Sequence, residues 1–168
     1  LFAMRYPAPG DPALAARVVE LLAGHGLHVT ADAARGLDHG AWVPLSLIYP
    51  DADIPVVQLS IASNATPEWH FALGQALAPL RDEGVLIVGS GSITHNLRAY
   101  FTTRPPIDAP APAWVSGFTD WIAERMAAGA VGDVLHGVER APHGRDNHPT
   151  PDHILPLFVA MGAGVAPL

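Results

Sequence analysis

Apolar and polar positions follow two rhythms along the chain. Leu14, Ala15, Val18, Val19 and Leu22 recur at helical spacing, with Asp11 placed to cap the helix, Pro12 at its first position, and Gly24 or Gly26 to stop it. Trp69, Leu73, Ala76, Leu77 and Leu80 form a second stripe, entered through Asn64 or Thr66 with Pro67 and Glu68 in the first turn. Trp114, Phe118, Trp121, Ile122 and Met126 form a third, over Ala113 to Ala128. Elsewhere the helical period vanishes. His28 to Thr30 reads as a short strand, and Ile54 to Ile61 (IPVVQLSI) as a β-branched strand with Pro55 near its start. Val85 to Gly89 (VLIVG) is an unbroken apolar run of the kind found in a strand buried on both faces.

The remaining segments are shorter. Ala41 to Tyr49 predicts a short helix with Pro44 in its first turn. Val131 to Val138 predicts another, and Thr150 caps a last helix with Pro151 at its first position, His153 in its first turn and a bend at Pro156. Ala31 to His39, Thr102 to Pro112 and Ala141 to His148 read as loops. Strand, helix, strand across Ile54 to Gly89 is a βαβ unit with a right-handed crossover. The pattern therefore predicts an α/β fold: a single domain, residues 1–168, with a mostly parallel central sheet flanked by helices.

Composition narrows the function. Hydrophobic residues make up 49% against 15% charged, so most of the chain can bury a core rather than stay disordered. The net charge of −7 disfavours a nucleic acid or an anionic membrane as partner. No apolar run reaches the ~18 residues of a membrane span, and no signal peptide is visible, which gives a cytoplasmic protein as the expectation. Without cysteine there is neither a disulfide nor a thiolate metal site. The nine histidines equal lysine and arginine combined and direct attention to metal or proton chemistry.

Three histidines occupy settings where α/β folds place chemistry. His95 lies just past Ser90-Gly91-Ser92, beyond the carboxyl end of the Val85–Gly89 run. His39 sits between Asp38 and Gly40, and His153 at a helix start, where the dipole favours the neutral, metal-binding imidazole. No short ligand spacing links them, and a single histidine is more often structural, so the signal lies in the set of three. Asp38 reads as a cap or as a partner for the His39 ring, and Asp152 as a dipole partner. His148 reads equally as site-lining or solvated. His25, His28, His70, His136 and His143 take ordinary structural or surface readings. Gly89 to Ser92 lacks the third glycine and the lysine of a phosphate loop.

Four stretches together resemble a known family: Gly36 to Trp42 (GLDHGAW), Tyr49 to Ser60 (YPDADIPVVQLS), Gly89 to Leu97 (GSGSITHNL) and His148 to Leu157 (HPTPDHILPL). With Arg5 to Gly10 (RYPAPG), they look like the class III extradiol ring-cleavage dioxygenases, in the 4,5-DOPA dioxygenase branch of the LigB-like superfamily, from about Leu1 to Gly164. The resemblance implies a non-haem divalent metal, Fe(II) for activity with Zn(II) as an alternative occupant. It implies a small-molecule catechol and O₂ as substrates, with a homo-oligomer open. By motif, His153 matches a metal ligand, His95 the neighbouring acid/base that also binds metal, and His39 a further catalytic histidine. The HGSP-like and SAHW-like motifs that carry the family's other metal histidines do not occur in these 168 residues. The chain begins at Leu1 rather than Met and no terminal strand follows Leu168, so a portion of a longer catalytic domain is expected. A zinc hydrolase on the same scaffold, or a truncated non-catalytic module with an incomplete metal site, are the alternatives.

Overall fold

The structure is a computed structural model describing residues 5–164. Leu1 to Met4 and Val165 to Leu168, the ends on which the expectation of a longer domain bears, lie outside the described residues. The helices form largely where the pattern places them. Helix α1 (Pro12–Gly24) is capped by the Asp11 carboxylate, which accepts from the Leu14 amide at 2.9 Å. Helix α3 (Pro67–Leu77) is capped by Thr66 and runs into a 3₁₀ turn (Ala78–Arg81). Helix α5 (Ala113–Ala127) buries Phe118 and Ile122, whereas Met126, expected in the core, is exposed. Two short helices, α6 (Val131–Leu135) and α7 (Gly137–Arg140), share the Val131–Val138 stretch.

Boundaries shift where a cap outweighs composition. Helix α2 (His39–Ile48) starts two residues before the expected Ala41, because Asp38 accepts from the Ala41 amide at 3.2 Å. His39 is thus the first residue of a helix, not part of a loop, and Pro44 falls inside the helix. Helix α4 (Leu97–Thr103), capped by Asn96, and helix α8 (Gly144–Asn147) were not indicated by periodicity, since seven and four residues are too few to show it. The last helix, α9 (Leu155–Gly164), begins four residues after the expected Pro151. Residues 151–154 form a turn in which Pro151 O accepts from Ile154 N at 3.0 Å and Leu155 N at 3.3 Å. His153 therefore precedes the helix. Pro156 sits at its second position, where its missing N–H costs nothing, and gives no cause for a bend.

The parallel sheet is not present: among the described residues there is no strand. Ile54 to Ile61 and Val85 to Gly89 run outside the helices without a ladder between them. Val56 N donates to Pro9 O at 2.9 Å and Val85 N to Leu80 O at 3.0 Å, and neither bond links the two runs. His28 to Thr30 is likewise unpaired. Nor is the Val85–Gly89 run buried on both faces: Val85 and Ile87 pack on the core while Leu86 and Val88 are exposed at 69% and 55%. An apolar run encodes burial of side chains; a sheet also needs a neighbour to take its backbone groups.

What holds the molecule together is helix packing. One core gathers Phe118, Ile122, Val134, Leu155 and Phe158; a second gathers Leu22, Leu73, Ala76, Leu77 and Leu80. Helix α9 contributes to both, through Phe158 to the first and Val159 to the second. Helices α3 and α9 touch backbone to backbone. A Cβ at Gly74 would run into Val159 O, and one at Gly162 into Phe71 O. The 151–154 turn leads directly into α9. Among the described residues no helix is long and apolar enough to cross a membrane.

Candidate functional site

The loop after Val85–Gly89 lies directly on the turn that precedes α9. Ser92 N donates to His153 O at 2.8 Å, and a Cβ at Gly91 would strike the same carbonyl. Glycine at this position is what allows the approach. The consequence is that His95 and His153, 58 residues apart in sequence, stack face to face, ring centroids 3.4 Å apart and planes 10° from parallel.

His39 joins them from a third element. Pro44 has no N–H to give Gly40 O, its partner four residues back in α2. The Ser90 hydroxyl donates to that freed carbonyl instead and ties the start of α2 to the loop leading to His95. Asp38 does not hold the His39 ring. It caps α2 and exchanges two hydrogen bonds with Gln58: Gln58 Nε2 donates to Asp38 Oδ2 at 2.7 Å, and Asp38 N donates to Gln58 Oε1 at 3.0 Å. His39 is exposed and close enough to oppose protonation of His153.

Burial lowers the pKa of His153 first; His95 and His39 add to the effect and the Asp152 carboxylate opposes it. His153 is thus biased to the neutral form, the one that ligates metals, by desolvation and neighbouring imidazoles rather than by a helix dipole. Its Nδ1 is buried and finds no hydrogen-bond partner among the described residues.

His148 is a buried residue, 2% exposed, rather than a solvated one. Its Nε2–H donates to Ile93 O at 2.7 Å, and its ring packs against Phe118. Burial pushes its pKa down despite that bond, with His95 and His153 contributing further. Its Nδ1, too, is buried without a partner among the described residues. Asn147, fully buried beside it, was missed by sequence reading: a polar stretch of APHGRDNH composition signals exposure, and nothing in it marks the asparagine as interior. His70, by contrast, is a satisfied structural histidine. Nδ1–H donates to Thr66 O at 2.8 Å and Nε2 accepts from Ala62 N at 3.3 Å.

The donors suit a divalent metal in kind but not in number. Neutral imidazole with an unpartnered buried nitrogen is a fitting ligand for zinc or non-haem iron. Yet among the described residues no group of three or more histidine or carboxylate side chains is arranged to hold an ion. The stacked pair does not share one as it stands, because imidazole lone pairs lie in the ring plane. An ion midway between faces 3.4 Å apart would sit well out of both planes, while metal–nitrogen bonds are only ~2.0–2.1 Å long. Among the described residues, then, the donor chemistry fits a metal but a complete ligand set is not assembled.

With this geometry in view, the comparisons define the class. The chain belongs to the family described as the catalytic LigB subunit of aromatic ring-opening dioxygenase, which matches residues 1–166. It is 51% identical over 164 residues to a 4,5-DOPA dioxygenase extradiol of Beta vulgaris, covering 97% of this chain and 60% of that protein. It is 44% identical over 166 residues to the 4,5-DOPA dioxygenase extradiol of Escherichia coli K12, covering 97% of this chain and 59% of the relative. Among solved structures it resembles the crystal structure of an uncharacterized protein, JW3007, from Escherichia coli K12, with a TM-score of 0.76 and 39% identity over 99% of this chain and 68% of that one. The chain thus spans about 60% of the length of these curated relatives.

Proposed function

We propose that the protein to which this chain belongs is a metal-dependent extradiol dioxygenase that opens a catechol ring with O₂. The observation that carries the reading is the contact of His95 with His153 at the loop–turn junction, in a chain 51% identical to a 4,5-DOPA dioxygenase. His153 is the imidazole this chain offers a metal in the observed arrangement, Fe(II) in the working enzyme and Zn(II) as an alternative occupant; His95, stacked on it, joins as a ligand only if its ring turns out of the stack. When bound, that metal supplies open positions for a catecholate and for O₂. His95 takes a catechol proton on a ring nitrogen and returns it to the product. His39, on the exposed start of α2, helps to orient the substrate.

The reaction balances without a further reagent. One ring C–C bond beside the hydroxyls breaks, and both oxygen atoms of O₂ enter the ring-opened product. Oxygen uptake by the full-length, Fe(II)-loaded protein with DOPA as the probe tests the assignment. Uptake of one O₂ per catechol opened is the expected result. Metal-dependent hydrolysis of an ester with no oxygen uptake would overturn it in favour of a hydrolase.

A further inference from the structure

The loop that carries His95 is held by a buried polar pair, Asn147 and His148. Asn147 is fully buried and its amide is fully engaged: Oδ1 accepts from Thr94 Oγ1 at 2.6 Å, and Nδ2 donates to Trp114 O and His143 O, both at 3.0 Å. Its backbone carbonyl accepts from His95 N at 2.9 Å. The adjacent His148 donates to Ile93 O at 2.7 Å. Three consecutive loop residues, 93 to 95, are thus each bonded to one of two consecutive interior residues. Because those residues are anchored on α5 and α8 and not on the loop, they fix where His95 sits against the turn of His153.

We infer that Asn147, through Thr94, is a positioning residue for His95, and that His148 supports it from the next position. The inference rests on the dioxygenase reading for what His95 does, but the restraint itself is independent of it. A buried amide that loses its hydroxyl partner keeps an unsatisfied oxygen, and the loop it held gains freedom. Misplacing a reacting group by about 1 Å costs on the order of a hundredfold in rate. No kindred effect on substrate capture is expected, since Asn147 is fully buried and the Thr94 hydroxyl is spent on it.

The test uses the full-length, Fe(II)-loaded protein and two substitutions at one position. Thr94→Val keeps the shape and removes the hydroxyl; Thr94→Ser keeps the hydroxyl. In Thr94→Val, exchange of the His95 amide should quicken about tenfold, as loss of one buried hydrogen bond implies. The core amides of Leu73 and Val134 should be unaffected. With DOPA, kcat should fall roughly ten- to a hundredfold with KM within about twofold of wild type, and Thr94→Ser should restore both readouts. Unchanged exchange at His95, equal acceleration at Leu73 and Val134, or a loss confined to KM would overturn the inference. If wild type opens no catechol while the His95 amide still responds selectively, the dioxygenase reading fails and the positioning of His95 by Asn147 stands.

Discussion

His148 and His153 are both held toward the neutral form by burial, each with an Nδ1 that finds no partner among the described residues. A buried neutral imidazole has a consequence for stability. The folded pKa of His148 lies below its ordinary 6.5, so between those values the unfolded chain binds a proton that the folded one refuses. Stability is therefore full above about pH 6.5 and declines as pH falls toward the folded value. The melting temperature of the metal-free protein should drop between roughly pH 7.5 and 5.5, and His148→Gln, which keeps a donor for Ile93 O, should flatten that slope. An unchanged slope would remove His148 from the account. The three candidate histidines could be read from their neighbours in sequence. Asn147 could not: a buried asparagine is stabilised by bonds to Thr94, Trp114 and His143, residues distant in sequence or of unremarkable type.

Among elements, α3 and α9 set the frame, and two glycines allow their contact. Gly74→Ala or Gly162→Ala would press a methyl group into the facing backbone carbonyl and should lower stability by about 1–3 kcal/mol. Gly117→Ala in the middle of α5 meets open space and should raise it by roughly 0.5–1 kcal/mol. Denaturant midpoints with unchanged slopes would show both effects; equal effects at the two kinds of site would contradict the packing. The long helices were legible: in α1 and α3 period and cap agree over many residues, and in α5 the period alone runs long enough. The parallel sheet expected from Ile54–Ile61 and Val85–Gly89 is absent among the described residues, because alternation and β-branching describe which side chains are buried and leave open whether a neighbouring backbone is there to pair. The start of α9 was misplaced for a related reason. Thr150 and Pro151 carry helix-start chemistry, but the 89–92 loop docks on the carbonyl of His153 and the chain turns there before the helix begins.

At the scale of the whole molecule, the site lies where three separate segments meet, with the exposed Leu86 and Val88 on the run that leads into it. An extended run with apolar side chains and unpaired backbone invites contact with another chain. The isolated 168-residue chain should therefore associate with rising concentration in sedimentation, and Leu86→Lys with Val88→Lys should reduce that association. Unaltered sedimentation would place the contact elsewhere. The proposed ring-opening chemistry is centred on His153, whose ring stacks on that of His95. The most direct measurement is reaction of the full-length, Fe(II)-loaded protein with DOPA under ¹⁸O₂, alongside its His153→Ala variant. The account predicts a ring-opened product carrying both labelled atoms from the wild type. It also predicts turnover reduced by more than ~100-fold in the variant, since losing even an outer partner of a ligand costs ~10–100-fold. Absence of label from the wild-type product, or unchanged turnover in His153→Ala, would contradict it.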